Sequence, residues 1–336
     1  MIELTLYSGD KIKEGIQPSK PIIDGVLWED DLVMLLGSEK AGKSIIAQQM
    51  AFCITSGHQF LDKYKVLDKQ PILYIQAEGK RTEFVERMDN MENTIPVDRK
   101  KFYHLPKKFL PLDIPEYYDA IIAKLELLRL NDKLPKVVFL DAIYMMMEGD
   151  LILNKEARKF LSKVGYLMDE YHLTVVMVHH ESKDQYDKDH KVVRRGDKGS
   201  YGSVFFRCNA DHILYLNKKA DKTRTLSCET QRSGKVMERE DLILIQPDPL
   251  CFEIKGDYSA TEETVKYHIW NPLDHADKPT RDTLTFVTEL SPSAVDKALR
   301  HLFQDKQIVK LTGKPVRFMK HPDIKDPKPV LSDIKC

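Results

Sequence analysis

The chain has 336 residues, which is enough for one large domain with a small one or for two medium-sized domains. Hydrophobic residues make up 42% and charged residues 31%, as in soluble globular proteins, and no apolar run approaches the roughly 20 residues of a membrane span. The 52 basic and 52 acidic side chains cancel, so a nucleic-acid partner must be met by a local basic patch.

The cysteines and the first residues indicate where the protein works. The five cysteines, at positions 53, 208, 228, 251 and 336, form no C-x-x-C pair and show no metal-binding spacing. The opening MIELTLYSGDKIKEG lacks the basic-then-apolar order of a signal peptide. We therefore expect reduced thiols in a cytoplasmic protein that has no membrane partner.

Short apolar runs alternate with amphipathic stretches along residues 31–247, which predicts an α/β fold with a mostly parallel sheet covered by helices on both faces. The predicted order is strand 32–37, helix 44–56, strand 71–79, helix 80–91, helix 117–130, strand 136–143, helix 155–171 and strand 173–180. The runs 211–218, 223–231 and 241–246 follow without long helices between them, so we expect them to add an antiparallel edge.

The chain becomes polar and turn-rich after about residue 255, which predicts a domain boundary. The predicted organisation is a large domain at 1–255, a linker at 256–278, a small α+β domain at 279–322 and a tail at 323–336. In the small domain two helices, the second with Ser291 as N-cap and Pro292 at its first position, precede a ribbon around Thr312 and Gly313. This is the element order of a winged helix.

Residues 37–44, GSEKAGKS, fit the phosphate-binding pattern G-x-x-x-x-G-K-[ST]. An apolar strand leads in and a helix leads out, so the amides at the helix start would face an anion. The alternative is a glycine turn that matches by chance. In the functional interpretation the ligands are ATP and Mg²⁺. Lys43 would contact the β- and γ-phosphates, and Ser44 would coordinate the metal. The predicted nucleotide contacts are Gly37, Ser38, Glu39, Lys40, Ala41, Gly42, Lys43, Ser44 and Ile45.

Two carboxylates end predicted strands at the same edge of the sheet. Asp141 ends the buried run VVFLD and is the second candidate metal ligand, with a strand-capping role as the alternative. Glu78 ends LYIQAE, where the alternative is a solvated strand-end residue. Because the carboxyl ends of parallel strands share one edge, both side chains and the loop can converge.

These motifs resemble, in their order, those of the RecA-like ATPases and most of all the RepA/DnaB-type hexameric helicases of plasmids and phages. The resemblance covers about residues 15–247 and is carried by GVLWEDDLVMLLGSEKAGKSIIAQQMAFCITSG, PILYIQAEGKRTEFVERM, VVFLDAI, VMVHHESK and GSYGSVFFRCNADHILYL. It implies a RecA-like twisted sheet, a hexamer of identical chains, and Glu78 as catalytic base. It also implies a γ-phosphate sensor at His179 or His180, for which a structural histidine is the alternative.

The resemblance further implies an arginine that acts on a neighbouring subunit's nucleotide. DnaB-type proteins carry K-x-R, a polar residue and glycine after a late strand. ETQRSGK keeps Arg232 and Gly234, but Thr230 stands where the lysine would be. Arg232 is therefore the candidate catalytic arginine, with Lys235 as a stand-in for the missing lysine.

Two segments are candidates for DNA contact. Residues 181–198, ESKDQYDKDHKVVRRGDK, stand where RecA-like rings place the channel loop that follows single-stranded DNA, although a solvated loop of mixed charge is the alternative. The predicted phosphate contacts in this loop are Lys183, Lys191, Arg194, Arg195 and Lys198, with Lys188 and Tyr186 as further candidates. The second predicted helix of the small domain would expose Lys297, Arg300, His301 and Lys306, and its ribbon Lys310, Lys314, Arg317 and Lys320.

Together these features predict an ATP-hydrolysing, hexameric DNA helicase or translocase that acts in the replication of a plasmid, phage or other mobile element. Single-stranded DNA is the expected partner of the loop, and duplex DNA that of the small domain, for which protein docking is the alternative. Two other functions stay open: a RecA-like recombination or strand-loading ATPase, and a nucleotide-gated DNA-binding regulator.

Overall fold

The computed structural model describes residues 7–11, 13, 19–180, 185–186, 192–193, 204–219, 223–231, 237–245, 250–254, 265–266, 268–269, 278–288, 292–304, 306–311, 315–320 and 322. The chain divides into two compact units, Met1–Lys255 and Gly256–Cys336. None of the described helices combines the length and the hydropathy that a membrane crossing requires.

The first unit alternates strands and helices. Its strands are β1 (Pro21–Ile23), β2 (Leu27–Trp28), β3 (Leu32–Gly37), β4 (Ile72–Gln76), β5 (Phe102–Pro106), β6 (Val137–Asp141), β7 (Thr174–His180), β8 (Gln185–Tyr186), β9 (Val192–Val193), β10 (His212–Lys218), β11 (Arg224–Gln231), β12 (Glu240–Ile245) and β13 (Cys251–Ile254). Its helices are α1 (Lys43–Ser56), α2 (Arg81–Glu92), α3 (Pro115–Leu130), α4 (Asn154–Tyr171) and α5 (Val204–Asn209), with a 3₁₀ turn at Ile143–Met145.

Nine strands form one sheet in the order β13-β12-β11-β10-β3-β7-β6-β4-β5. The six strands from β10 to β5 run parallel, and β11, β12 and β13 are added antiparallel. This topology confirms the prediction of a mostly parallel, RecA-like α/β sheet. The carboxyl ends of β3, β4, β6 and β7 lie at one edge, which is where the candidate site is built.

Helices cover both faces of the sheet because successive residues of each central strand face opposite sides. In β3, Val33 and Leu35 pack with residues of α1 and α2, whereas Met34 and Leu36 pack with residues of α3, α4 and α5. The continuous apolar runs noted in the sequence are therefore strands that are buried on both sides.

Two details of the predicted sheet are wrong or incomplete. The run 211–218 is predicted at an antiparallel edge, but β10 pairs parallel with the central β3, and the described part of the crossover that leads to it contains β8, β9 and the six-residue α5. The edge strand β5 was not predicted, since it is half-buried and ends at Pro106, a residue that suits sheet edges.

The second unit contains α6 (Arg281–Thr288), α7 (Pro292–Gln304) and an antiparallel pair, β14 (Ile308–Leu311) and β15 (Arg317–Lys320). Its apolar core is Val265, Ile269, Leu284, Val295, Ala298, Leu299, Leu302, Ile308 and Phe318. The expectation that α7 exposes Lys297 and His301 is wrong, since both are buried, at 8% and 5% exposure. Both side chains neighbour Ala298 on a broad apolar face, where a lysine stem can pack with the core.

Candidate nucleotide-binding site

The phosphate-loop motif lies between β3 and α1, and each of its two glycines has a steric reason. A Cβ atom at Gly37 would come 2.3 Å from the carbonyl oxygen of Leu216 in β10. Gly42, the N-cap of α1, has a φ of 104°, and a Cβ atom there would come 2.6 Å from the ring of Phe252. The loop can therefore take this path only with glycine at both positions.

We expect Gly42→Ala to lower the free energy of unfolding by about 2–4 kcal/mol, because alanine is strained at this φ and its Cβ displaces Phe252. Gly165→Ala is the matched control, since Gly165 lies within α4 and a Cβ there meets nothing within 4 Å. That change should stabilise the fold by about 0.5–1 kcal/mol. Denaturant unfolding of the wild type and of the two variants measures both changes in the free energy of unfolding. Equal effects of the two substitutions would contradict the steric account.

Lys43 is held by the loop that it follows. Its ammonium donates hydrogen bonds to the carbonyl oxygens of Gly37 and Ser38, both at 2.8 Å, and lies 3.2 Å from Nδ1 of His180. The side chain is 5% exposed. The positive charge is thus fixed between the start of the loop and the end of β7, where phosphate oxygens can replace the carbonyls.

Asp141 accepts two hydrogen bonds at the end of β6. The hydroxyl of Ser44 donates to Oδ1 at 3.0 Å, and the hydroxyl of Tyr74 donates to Oδ2 at 2.7 Å. Burial raises the pKa of the Asp141 carboxyl, while the bonds from Tyr74 and Ser44 act in the opposite direction. A hydroxyl and a carboxylate in contact are hard oxygen ligands, and Mg²⁺ in phosphate sites commonly takes one or two such groups with waters and phosphates. Ser44 and Asp141 therefore fit the predicted metal pair.

Glu78 lies in the turn after β4, with its side chain exposed to a cleft of about 940 Å³, open solvent included. Burial and then the neighbouring Glu78 carboxylate raise the pKa of the Tyr144 hydroxyl, so Tyr144 is protonated beside this carboxylate near pH 7. The cleft is lined by Glu39, Lys40, Gly42, Lys43, Ser44, Ile45, Glu78, Gly79, Glu83, Arg87, Asp141, Ala142, Val178 and His180.

The two histidines at the end of β7 lie on opposite faces of the sheet. His180 lines the cleft, and burial followed by the charge of Lys43 lowers its pKa, so the ring is neutral near pH 7 and can accept at Nδ1. His179 is fully buried on the other face, with its ring centre 5.6 Å from that of Phe206. The geometry therefore places His180 beside the phosphate loop and His179 away from it.

A family model shows which family the chain belongs to. The family model described as AAA domain matches residues 3–186, more than half of the chain. The chain belongs to this family. A KaiC-like protein from the archaeon Pyrococcus horikoshii OT3 is similar in structure, with 13% sequence identity and a TM-score of 0.48 over 71% of this chain and 100% of that one. No curated protein matches the chain.

The match and the loop geometry identify a P-loop ATPase, and the AAA domain match includes Lys43, Glu78, Asp141 and His180. Three of the predicted nucleotide contacts, Gly37, Ser38 and Ala41, are not among the residues that line the cleft, but Gly37 and Ser38 hold Lys43 through their carbonyl groups.

Several residues that shape the site are not predicted from the sequence. Arg224 of β11 is buried, and its Nε donates to the carbonyl oxygen of Ala41 at 3.1 Å, which fixes the loop from the antiparallel side of the sheet. Tyr74 donates to Asp141 and Tyr144 lies beside Glu78, and the positive charge of Arg87 opposes the rise that burial causes in the pKa of Asp141. An arginine within a strand was a signal for Arg224, whereas nothing in the periodicity distinguished the two tyrosines.

Most of the predicted DNA contacts and the candidate catalytic arginine lie outside the described residues. These are Lys183, Lys188, Lys191, Arg194, Arg195, Lys198, Arg232, Lys235 and Lys314. In the second unit Arg300 is half-buried, and Arg317 donates to the carbonyl oxygen of Lys278 at 3.2 Å. Lys310 is exposed, and its ammonium lies 4.9 Å from the ring centre of Phe303.

Proposed function

We propose that this protein is an ATP-hydrolysing motor that moves along or unwinds DNA as a hexamer of identical chains, in the replication of a plasmid, phage or other mobile element. The observation that carries the proposal is the convergence in one cleft of Lys43, Ser44, Asp141, Glu78 and His180. Binding alone would not require a free carboxylate beside the phosphate position, whereas hydrolysis uses one to orient and deprotonate water.

In the proposed reaction each side chain has one task. Lys43 exchanges the carbonyls of Gly37 and Ser38 for β- and γ-phosphate oxygens. Ser44 and Asp141 would hold Mg²⁺, which supplies charge neutralisation on the phosphates when bound. Glu78 takes the proton of the attacking water, and the neutral ring of His180 contacts the γ-phosphate.

The connectivity of the chain supports coupling between the nucleotide cleft and the segment that we propose binds DNA. Segment 181–198, which carries the predicted phosphate contacts, begins directly after His180, whose ring contacts Lys43, so a change at the γ-phosphate has a direct covalent route to this segment. On the other side, Arg232 directly follows β11, whose first residue Arg224 contacts the loop. We propose that Arg232 serves a neighbouring subunit's nucleotide, which ties hydrolysis to ring assembly.

Replacing Arg194 and Arg195 together by alanine should weaken single-strand binding and the DNA stimulation of ATP hydrolysis. A loss of two phosphate contacts lowers the slope of log K against log salt by about 1.4, at about 0.7 per contact. Titrations at several salt concentrations measure this slope, with the pair Lys124→Ala and Lys155→Ala on α3 and α4 as a control of equal charge. An unchanged slope would show that this segment does not grip DNA.

Three measurements test the function as a whole: ATP turnover with and without single-stranded DNA, unwinding of a forked duplex, and oligomeric state with an ATP analogue and DNA. DNA stimulation, unwinding and a closed hexamer are expected. A filament that does not unwind DNA would instead indicate a recombination or loading ATPase, and an ATPase that ignores DNA would indicate a regulator.

For the second unit we propose contact with duplex DNA through Arg300, Lys310 and Arg317. A protein-docking role competes with it, and is favoured by Phe286, which is 85% exposed on α6. Duplex binding by the full chain and by a chain that ends at Lys255, the last residue of the first unit, distinguishes the two, because a docking unit can be removed without loss of duplex affinity.

A further inference from the structure

Gln76, the last residue of β4, is a buried polar residue that the reaction above does not use. It is 3% exposed, and its amide nitrogen donates to the carbonyl oxygens of Glu78 at 2.8 Å and Lys80 at 3.2 Å. Both acceptors belong to the turn that carries the candidate base. The amide therefore ties the main chain of this turn to the end of the strand.

The hydrogen bonds of Gln76 fix the orientation of its side-chain amide. Because both N–H bonds point at carbonyl groups, which cannot donate, the amide oxygen must face the other way, toward Nε2 of His104 at 3.0 Å. Burial, and then the charges of Arg81 and Arg87, lower the pKa of His104 to about 4, so near pH 7 the ring carries a single proton. This geometry requires that proton on Nε2, where it is donated to Gln76.

The surroundings leave this chain of hydrogen bonds little freedom. The ring of His104 stacks on Phe84, with centroids 3.9 Å apart and planes 9° apart. On the other side the turn closes around the Gln76 amide, since Gly79 has a φ of 79° and a Cβ atom there would lie 3.4 Å from the amide nitrogen. His104 in β5, Gln76 in β4 and the turn therefore form one connected polar structure.

We infer that Gln76, oriented by His104, is a positioning residue that holds the main chain of Glu78 so that its carboxylate meets the attacking water. This inference rests on the proposed role of Glu78 as catalytic base. Gln76 restrains the backbone of Glu78 through this hydrogen bond and so limits where the carboxylate can lie. Small displacements of reacting groups reduce rates strongly, by up to about 100-fold for 1 Å.

Gln76→Leu keeps the size of the side chain and removes its hydrogen bonds. We expect a turnover number about 5- to 50-fold lower, with the KM for ATP and the affinity for an ATP analogue changed less than about 2-fold. The decisive comparison uses the Glu78→Gln background, where Gln76→Leu should slow residual hydrolysis less than about 2-fold, because it acts through Glu78. Gln70→Leu is the control, since Gln70 bonds only to Asp68 among the described hydrogen bonds, away from the cleft.

His104→Phe gives a second approach if Gln76→Leu does not fold, because it keeps the ring stacked on Phe84 and removes only the N–H donor. A loss of about 3- to 10-fold in turnover is expected, with partial recovery in His104→Gln, which restores a donor. Unchanged turnover in both folded variants, or losses that multiply with that of Glu78→Gln, would overturn the inference. Near-normal turnover of Glu78→Gln itself would instead overturn the proposed function, so the two failures are distinguishable.

Discussion

Glu78→Gln should bind ATP with nearly unchanged affinity and hydrolyse it at least about 100-fold more slowly. The amide keeps the shape of the side chain, but it cannot take a proton from water. General-base catalysis contributes roughly 10²–10⁴ to enzymatic rates, which sets the size of the loss. Because the carboxylate is exposed at the cleft edge, the fold should be unaffected.

Single-turnover hydrolysis with saturating ATP isolates the chemical step from binding and product release. Glu86→Gln is a suitable control, since Glu86 is exposed on α2 and does not line the cleft. Turnover of Glu78→Gln close to that of the wild type would remove Glu78 from the role of base.

Lys43→Ala should lose nucleotide affinity by at least about 100-fold. Hydrogen bonds to charged groups contribute about 1.5–3 kcal/mol each, so two lost phosphate contacts amount to about 3–6 kcal/mol. Equilibrium binding of a fluorescent ATP analogue measures the loss directly. The stabilising effect of ATP on thermal unfolding, which depends on the ratio of ligand concentration to Kd, should disappear in parallel.

This substitution also removes the donor that Gly37 and Ser38 use, so the stability of Lys43→Ala without nucleotide must be measured as well. Lys124→Ala, at an exposed position of α3, controls for the loss of one charge. If Lys43→Ala is stably folded and binds the analogue like the wild type, the loop does not bind phosphates through this lysine.

The parts of the fold that the sequence predicts are those with a strong local signal. β3, β4, β6 and β7 are continuous apolar runs, and the glycines of the loop are required by steric contacts at one place in the chain. The direction of β10 was not predictable in this way, because its crossover helix has six residues and leaves no periodic signal.

The same distinction applies to the candidate site. Glu78 and Asp141 are predicted from their positions at strand ends. The choice between His179 and His180 requires the register of β7 beside β3, because the register decides which face of the sheet each side chain lies on. Gln76 and His104 are 28 residues apart and meet only because β4 and β5 are neighbours, and β5 itself carried no clear pattern. Contacts between distant residues on adjacent strands are set by tertiary structure and leave no local pattern in the sequence.

The bonds of Lys43 bear on how quickly this protein can exchange its nucleotide. The ammonium already has two carbonyl acceptors, and Asp141 already has two hydroxyl donors. ATP would therefore replace existing partners rather than supply missing ones, and the net enthalpy gained is smaller than the number of new bonds suggests. The loop is preorganised, so little ordering entropy opposes binding. On release of the nucleotide, Lys43 and Asp141 regain the hydrogen bonds that they form without it. Such a balance favours moderate affinity and rapid exchange of product for substrate, as repeated ATP hydrolysis by the proposed motor would require.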